Sequence, residues 1–185
     1  LNGSISGNSS RNIRVKAGAS TQIVSVGMTA GSGTASNVHV PVAASYGCLS
    51  AKDAGHSLTS SGAASVSGVK YSASLALDQG DSNDDDFVDI LDFGIFVGAR
   101  GADATRRSPS NFNCDQFVNN VDFSFIGLNF MRAGDSCGNY APQGQPIDRI
   151  SVRDLRRRGL GHIAKADLNG DGWVDTQDIA IYMQR

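Results

Sequence analysis

The sequence predicts an α+β protein in which an N-terminal antiparallel β-sandwich is followed by pairs of loop–helix units. Two patterns support this prediction. Apolar residues alternate with polar ones over most of residues 1–77, whereas beyond residue 78 they recur at helical spacing behind Asp- and Asn-rich segments. The composition agrees, because all 18 acidic residues are Asp, which favours caps and turns, and 22 residues are Gly. We expect three segments, 1–77, 78–134 and 135–185.

The β-sandwich prediction rests on four stretches in which every second residue is apolar. Alternation places these side chains on one face of a strand, and turn-rich segments such as residues 30–37 separate the stretches. Six or seven short strands of this kind would form a small sandwich. Its core would be thin, because Tyr46 and Tyr71 are the only aromatic residues of the segment. The stretches are Ile13 and Val15; Val24, Val26 and Met28; Val38, Val40 and Val42; and Val69, Tyr71, Ala73, Leu75 and Leu77.

The second half of the chain contains a repeated twelve-residue segment. Its copies are DSNDDDFVDILD at Asp81–Asp92, NFNCDQFVNNVD at Asn111–Asp122 and DLNGDGWVDTQD at Asp167–Asp178, named here loops 1, 2 and 3. Each loop is followed at once by apolar residues at the i, i+3 and i+4 spacing of a short helix with one buried face. A decayed fourth copy at Asp148–Leu155 completes two predicted pairs of units.

The polar residues of the loops occupy alternate positions, which is typical of calcium-binding loops. Calcium takes six to eight oxygen ligands, and side-chain oxygens at positions 1, 3, 5, 9 and 12, with the main-chain carbonyl of position 7, can surround it. Magnesium fits less well, because it keeps its waters. The predicted ligands are Asp81, Asn83, Asp85, Phe87, Asp89 and Asp92 in loop 1; Asn111, Asn113, Asp115, Phe117, Asn119 and Asp122 in loop 2; and Asp167, Asn169, Asp171, Trp173, Asp175 and Asp178 in loop 3.

The loops differ in charge. Loops 1 and 3 carry four ligand carboxylates each and loop 2 only two, so we expect two to three calcium ions, with loop 2 the weakest site. Loop 1 also contains Asp84 and Asp86 at positions that are not ligands, and this surplus charge would repel itself without a cation. Position 8 is Val88, Val118 or Val174, an inward residue expected to pair one loop with its neighbour.

This pattern resembles the type I dockerin repeat, Asp-x-Asn-x-Asp-Gly-x-Val-Asp-x-x-Asp before a short helix. Loop 3 and its helix match it best, and loop 2 departs at its first position. The resemblance implies a bacterial extracellular protein whose calcium-folded module docks a cohesin partner through loop positions 10 and 11 and the following helix. None of these position pairs is the Ser-Thr pair typical of cellulosomal dockerins. The residues are Ile90 and Leu91, Asn120 and Val121, and Thr176 and Gln177.

The sequence does not predict an enzyme. With no Glu, an acid or base pair would have to use Asp residues, and the clustered Asp residues are better explained as calcium ligands. His39, His56 and His162 lack the spacing of a zinc site. The net charge of −2 predicts no nucleic-acid partner, and no apolar stretch is long enough to span a membrane. A basic segment at 153–158 is interpreted as the solvated face of a helix.

Three cysteines allow one internal disulfide. Cys114 and Cys137 lie in the same half of the chain and are the preferred pair, with Cys48 left over; three reduced, partly buried thiols are the alternative.

These observations leave two hypotheses of function. The first is a secreted, calcium-stabilised structural subunit that assembles with copies of itself on a cell surface or in a filament. The second is a dockerin-like module that anchors a larger protein to a cohesin-like receptor. The segment Asn12–Met28, behind the Gly- and Ser-rich Leu1–Ser10, could be a strand exchanged between subunits, or simply the first strands of its own sheet.

Overall fold

The structure is a computed structural model that describes residues 8–41, 45–101, 108–135, 137–138 and 142–185. Its first part is one curled sheet of five antiparallel strands in the order β3–β2–β1–β4–β5. The strands are β1 Asn8–Ala17, β2 Ser20–Thr29, β3 Ser32–Gly33, β4 Cys48–Asp53 and β5 Ser60–Ala63.

The predicted apolar alternation does form strands β1 and β2. They make a hairpin that turns at Gly18, whose φ of +55° suits glycine, and Ile13 lies opposite Val24. Val38 and Val40, in contrast, lie outside any strand, and Val42 falls outside the described residues. Beyond Ser72 the alternation also ends without a strand, although Leu75 and Leu77 pack against the sheet. Alternation therefore identified the hairpin and overestimated the number of long strands.

The predicted β-sandwich is wrong. The described residues before 78 contain one five-stranded sheet and a two-stranded hairpin, and no second layer of strands. The apolar cluster beneath the sheet has only three buried members, Ile13, Val26 and Ala51, so too little surface is available to hold two sheets together. Instead, β4 is buried on both faces at Ser50–Asp53, because loops 1 and 2 cover the side of the sheet that a second sheet would occupy.

The remaining elements are short. Three two-stranded ladders pair β6 with β7, β8 with β9, and β10 with β11. The strands are β6 Ser65–Ser67, β7 Lys70–Ser72, β8 Phe87–Val88, β9 Arg132–Ala133, β10 Arg149–Ser151 and β11 Trp173–Asp175. The helices are α1 Ile90–Ala99, α2 Asn120–Asn129, α3 Val152–Arg157 and α4 Thr176–Tyr182, with a 3-10 helix at Gly161–Ala166. No helix of the described chain has the length and apolarity needed to cross a bilayer.

Three of the helices begin with the same N-cap. The cap residue, Asp89, Asn119 or Asp175, accepts a hydrogen bond from the N–H two residues later. The Asp at loop position 12 reaches back to the N–H of the cap residue, which completes a capping box. Positions 9 and 12 of each loop therefore begin the helix as well as belonging to the predicted ligand set.

The predicted arrangement of the loop–helix units as two pairs is also wrong. Val88 of loop 1 pairs with Arg132 after α2, not with Val118 of loop 2. Among the ladders of the described residues, only the one between β10 and β11 joins two units through position 8, with Ile150 opposite Val174. The helices share a single apolar core rather than one per pair. Phe93 and Phe96 of α1, Ile126 of α2, Leu155 of α3, Ile163 of the 3-10 helix and Tyr182 of α4 all belong to it.

A disulfide joins Cys48 of β4 to Cys137, with 5.8 Å between the Cα atoms and 89 residues of sequence separation. The preferred pairing of Cys114 with Cys137 is wrong, because Cys114 lies inside loop 2 and is buried. Sequence proximity favoured the nearer cysteine, whereas the fold brings the sheet against the segment that follows β9. The sheet and the helical part are thus covalently fastened at this point.

Strand β1 is a central strand of its own sheet, hydrogen-bonded to β2 on one side and to β4 on the other. Over Ile13–Ala17 both neighbours of β1 belong to its own chain, so this part of the strand has no free edge for another subunit. Asn12–Met28 thus lies in a hairpin of its own sheet, and its exchange between subunits stays a prediction. The segment 1–7 lies outside the described residues. The division into 1–77, 78–134 and 135–185 stays a prediction.

Candidate metal centres

The carboxylate at loop position 12 is the most enclosed of the predicted ligands. Asp92, Asp122 and Asp178 are each fully buried. In every loop one carboxylate oxygen accepts the N–H of position 2 at 2.7 Å, and the other accepts the N–H of position 9 at 2.8–3.0 Å. Position 12 therefore ties the start of each loop to the start of the helix.

Position 1 organises the first half of loops 1 and 3 in the same way. Asp81 accepts the N–H groups of Asp84 and Asp86, and Asp167 accepts those of Gly170 and Gly172, at 2.7–3.0 Å. Positions 4 and 6 have positive φ in all three loops, although only loop 3 has glycine there. The non-glycine residues in this strained conformation are Asp84, Asp86, Cys114 and Gln116.

The remaining side chains repeat with equal regularity. At positions 3, 5 and 9, one oxygen accepts the N–H two residues further along the chain, at 2.7–3.0 Å in each loop. The amide nitrogen at position 3 also donates to the carboxylate at position 5. These bonds fix the loop backbone, and the side chains at positions 3, 5, 9 and 12 make the same hydrogen bonds in all three loops.

The carboxylates of loop 1 lie close enough to act on one another. Burial raises the pKa of Asp89 to about 6, and the charges of Asp85 and Asp81 raise it too. Burial also raises the pKa of Asp92 well above its usual range, with a contribution from the charges of Asp81 and Asp89. Three buried carboxylates, Asp81, Asp89 and Asp92, therefore lie near one another and near the exposed Asp85, and a cation would relieve the repulsion among these groups.

The chemistry of these donors fits calcium. A carboxylate offers about four lone-pair sites and an amide carbonyl two, so the backbone hydrogen bonds leave acceptor capacity on the loop oxygens. All side-chain donors are oxygens, which a hard cation prefers. Within the described ranges, no group of three His, Cys or Asp side chains is arranged so that it could hold a metal ion. The fit to calcium therefore rests on the combination of carboxylate and amide oxygens in each loop. In this structure the carboxylates accept hydrogen bonds from the backbone of their own loop.

Loop 1 is attached to the sheet through Lys52 of β4. Its side chain is 4% exposed, and its ammonium group lies 2.7 Å from Asp81, 3.0 Å from Asp84 and 3.2 Å from Asp86. Burial lowers the pKa of Lys52, but the charge of Asp81, the hydrogen bonds and the charge of Asp86 outweigh it, so the pKa lies above its usual value. The surplus charge predicted for loop 1 is thus met by a cation of the protein.

The two surplus aspartates also bind other groups around the sheet. Asp84 forms an ion pair with Arg14 at 2.9 Å and accepts the N–H of Gly55, and although burial raises its pKa, its partners Arg14 and Lys52 lower the pKa overall. Asp86 accepts the N–H of Thr59. Its carboxylate also lies against Gly134, where an added Cβ would come within 2.4 Å of it. Positions 4 and 6 therefore connect loop 1 to its surroundings.

Loop 2 is attached to the sheet by different residues. Arg11 of β1 donates to the main-chain carbonyl of Phe112 at 2.7 Å and forms a buried ion pair with Asp53 at 3.0 Å. A ring nitrogen of His56 lies 3.0 Å from the carbonyl oxygen of Ser108, just before the loop. Burial, followed by the charge of Arg11, lowers the pKa of His56 to about 4, which keeps this buried imidazole neutral at pH 7.

Loop 3 lies on the surface. Its residues 169–173 are exposed, and its positions 4 and 6 are glycines that have no side chain to reach a neighbour. The cation contacts found for loop 3 in the described residues come from Arg149, which lies 3.4 Å from Asp175 and stacks 3.8 Å from the ring centre of Trp173. Loop 3 therefore has less protein charge around it than loop 1, although both carry four ligand carboxylates.

Sequence reasoning found the loop residues and missed the groups that surround them. Lys52, Arg14 and Arg11 were not singled out, nor was the pairing of Cys48 with Cys137. Burial of β4 on both sides means that Lys52 needs an acidic partner, but that burial is visible only in the structure. The signal present in the sequence was the surplus charge of Asp84 and Asp86.

Comparison with models of protein families, with curated proteins and with solved structures gives no match to this chain. The resemblance to dockerin repeats therefore rests on the loop residues themselves.

Proposed function

We propose that the chain is a non-catalytic, calcium-stabilised structural protein of the extracellular space or cell surface, which assembles with copies of itself. The observation that carries the calcium part is the common hydrogen-bond scheme of the loops. Three segments far apart in the chain, in different surroundings, hold oxygen donors at the same positions by the same N–H groups. One shared requirement, the coordination of a hard cation, accounts for this repetition.

The role of calcium in this proposal is to offset charge and to hold the loop that begins each helix. When bound, the ion supplies positive charge to the carboxylates and no chemistry of bond making or breaking. Asp92 and Asp178 would hold it while capping α1 and α4. Because binding is linked to folding, removal of calcium should loosen a helix whose loop has no protein cation to offset its charge.

The extracellular location is supported by the disulfide between Cys48 and Cys137. Disulfides form and persist in oxidising compartments and are rare in reducing ones. Self-assembly is supported by the outer edge of β2, because edge strands can recruit another chain. In the described chain β3 pairs with β2 only at Met28 and Thr29, which leaves Ser20–Gly27 without a strand partner on that side. Large exposed side chains on the sheet and hairpin, Ile23, Val66 and Val69, add apolar surface.

The calcium part is tested by comparing the helical circular dichroism and the melting temperature of the whole chain in excess calcium and in excess chelator. We expect the melting temperature to fall in chelator, with loss of helical signal. Asp178→Asn should reduce this response, and Asp154→Asn, at a capping position of the decayed copy, is the matched control. An unchanged melting temperature and helical signal in chelator would show that calcium does not stabilise the fold.

A second function, docking to a cohesin-like receptor, is favoured by one surface. Phe117 at position 7 of loop 2, and Val121 and Leu128 of α2, are large apolar residues that are 45–56% exposed, and Met131 follows the helix. Val121 occupies position 11, which lies in the docking region that the dockerin resemblance implies.

Static light scattering separates the two functions. The assembly proposal predicts polymers of the isolated chain in calcium that dissociate in chelator. The docking alternative predicts a monomer under both conditions, with the α2 surface open to a partner. Val121→Asp combined with Leu128→Asp is the informative variant, because the docking alternative loses its surface and the sheet edges are left intact.

A further inference from the structure

We propose that Lys52 is a tethered counterion that keeps loop 1 closed without calcium, so that calcium controls loop 3 and not loop 1. This inference rests on the proposed calcium function and names which site is regulated by the ion. The supporting observation is that the ammonium group of the buried Lys52 lies within 3.2 Å of the carboxylates at positions 1, 4 and 6 of loop 1.

The contacts of Lys52 span the first half of the loop. Asp81 holds the N–H groups of positions 4 and 6, and Lys52 binds the same carboxylate together with the side chains of those two positions. The side chain of Lys52 is 4% exposed, so the attraction of its ammonium group to the carboxylates is weakly screened by water. Lys52 of the sheet thereby holds the first half of loop 1 in its closed conformation.

The ammonium group of Lys52 leaves oxygen ligands of loop 1 available for calcium. Asp84 and Asp86 are not at ligand positions, and of the two oxygens of Asp81 it contacts only Oδ2. Oδ1 of Asp81 and the oxygens at positions 3 and 5 keep lone pairs for a cation on the inner side of the loop. Lys52 can therefore be present together with calcium, and its charge weakens the attraction of loop 1 for the ion.

Backbone contacts from the connection between β4 and β5 add to this closure. Gly55 donates to Asp84 and Thr59 donates to Asp86. Asp84 and Asp86 adopt positive φ, a conformation that costs a non-glycine residue free energy, and their contacts with the sheet offset that cost. In loop 3 the same positions are Gly170 and Gly172, which cannot make such contacts.

The test is amide hydrogen exchange of the whole chain, read by mass spectrometry on peptides that cover 81–92 and 167–178, in excess calcium and in excess chelator. In the wild-type protein we expect exchange of 167–178 to speed up at least about tenfold in chelator, and that of 81–92 to change by less than about threefold. In Lys52→Met, 81–92 should lose its protection in chelator and regain it in calcium. Lys70→Met, on an exposed hairpin, is the control that should behave as the wild type.

Equal loss of protection in both segments of the wild-type protein would overturn the counterion proposal while leaving calcium binding intact. If calcium changes the exchange rate of neither segment, the calcium function is rejected instead. The comparison of Lys52→Met with Lys70→Met in chelator would still test whether Lys52 acts as a counterion. If Lys52→Met does not fold, the wild-type comparison decides. Arg14→Met then gives the milder loosening of 81–92 expected from removing the exposed pair to Asp84.

Discussion

Loops 1 and 3 have the same hydrogen-bond scheme and the same number of ligand carboxylates, yet their surroundings are opposite. Loop 1 lies against the sheet, where Lys52 and Arg14 neutralise its surplus charge. Loop 3 is exposed over residues 169–173 and meets Arg149 at one carboxylate. The scheme is therefore set within the twelve residues themselves, whereas dependence on a metal is set by what lies outside them.

This difference also determines which parts of the chain should respond when calcium is removed. Loop 1 is fastened to β4 by an ion pair, and Cys137 is fastened to Cys48 of the same strand. We expect the sheet, loop 1 and α1 to respond together, and loop 3 with α4 to respond first. The boundary of calcium dependence then falls within the helical part of the chain.

The largest expected effect is loss of the disulfide, which holds the sheet beside loop 1 and has no counterpart at loop 3. Cys48→Ser combined with Cys137→Ser opens a loop closed across 89 residues of sequence, which increases the entropy of the unfolded chain. The free energy of unfolding should therefore fall by on the order of 4 kcal/mol. Urea unfolding in saturating calcium measures it. Cys114→Ser is the matched control, with a smaller loss of about 1 kcal/mol. Equal losses from the two variants would contradict a clamping role for the disulfide.

The next effect concerns the attachment of loop 2. Arg11→Met leaves Asp53 buried without its cation and removes the bond to Phe112, so we expect a loss of about 3 kcal/mol in the free energy of unfolding. Arg14→Met, on the same strand but at an exposed ion pair, should cost about 1 kcal/mol or less. Urea denaturation of both variants measures the difference. An equal cost would mean that burial of the Arg11 pair contributes nothing.

A third prediction compares position 12 in the two loops. Asp178→Asn should weaken calcium binding to loop 3 by at least about tenfold, which is about 1.4 kcal/mol. Titration calorimetry measures this. Asp92→Asn should lower the melting temperature in chelator as well as in calcium, because Asp92 holds the N–H groups of Ser82 and Asp89 in a loop that is closed without the ion. The comparison fails if both variants lose only their calcium response.

The smallest effect concerns position 6. Gly172→Ala should cost about 1 kcal/mol through its φ of +88° alone, since no atom lies within 4 Å of the added Cβ. Asp86→Gly removes the same kind of strain, yet it should also destabilise the protein, because it loses Thr59 and Lys52 as partners. Thermal unfolding of the two variants tests this. A stabilised Asp86→Gly would show that the contacts of Asp86 with the sheet are worth less than the strain.

The sequence predicted what is local and missed what is long-range. The helix that follows each loop and the β1–β2 hairpin depend on spacing within about a dozen residues, and spacing is visible in a sequence. The ligand set itself stays a prediction. Which layer covers the sheet depends on volumes and partners distributed along the chain. The thin core of Ile13, Val26 and Ala51 was anticipated, but its consequence, that loops rather than strands fill the second layer, was not.

The same limit explains the disulfide and the pairing of the loops. Cys114 is nearer to Cys137 in sequence, yet the approach of β4 to the segment after β9 selects Cys48. Val88 occupies the same loop position as Val118 and Val174, but its partner in the strand ladder is Arg132. A repeat shows that units are alike and does not show which surfaces they present to one another.

The central claim, that the loops bind calcium, is tested most directly by metal analysis of the purified whole chain after equilibration in millimolar calcium and removal of free ion. We expect about two to three equivalents of calcium per chain, with loops 1 and 3 filled and loop 2 the weakest. Asp178→Asn should lower the count by about one equivalent. Fewer than about two equivalents in the wild-type protein, with no decrease in the variant, would contradict the claim.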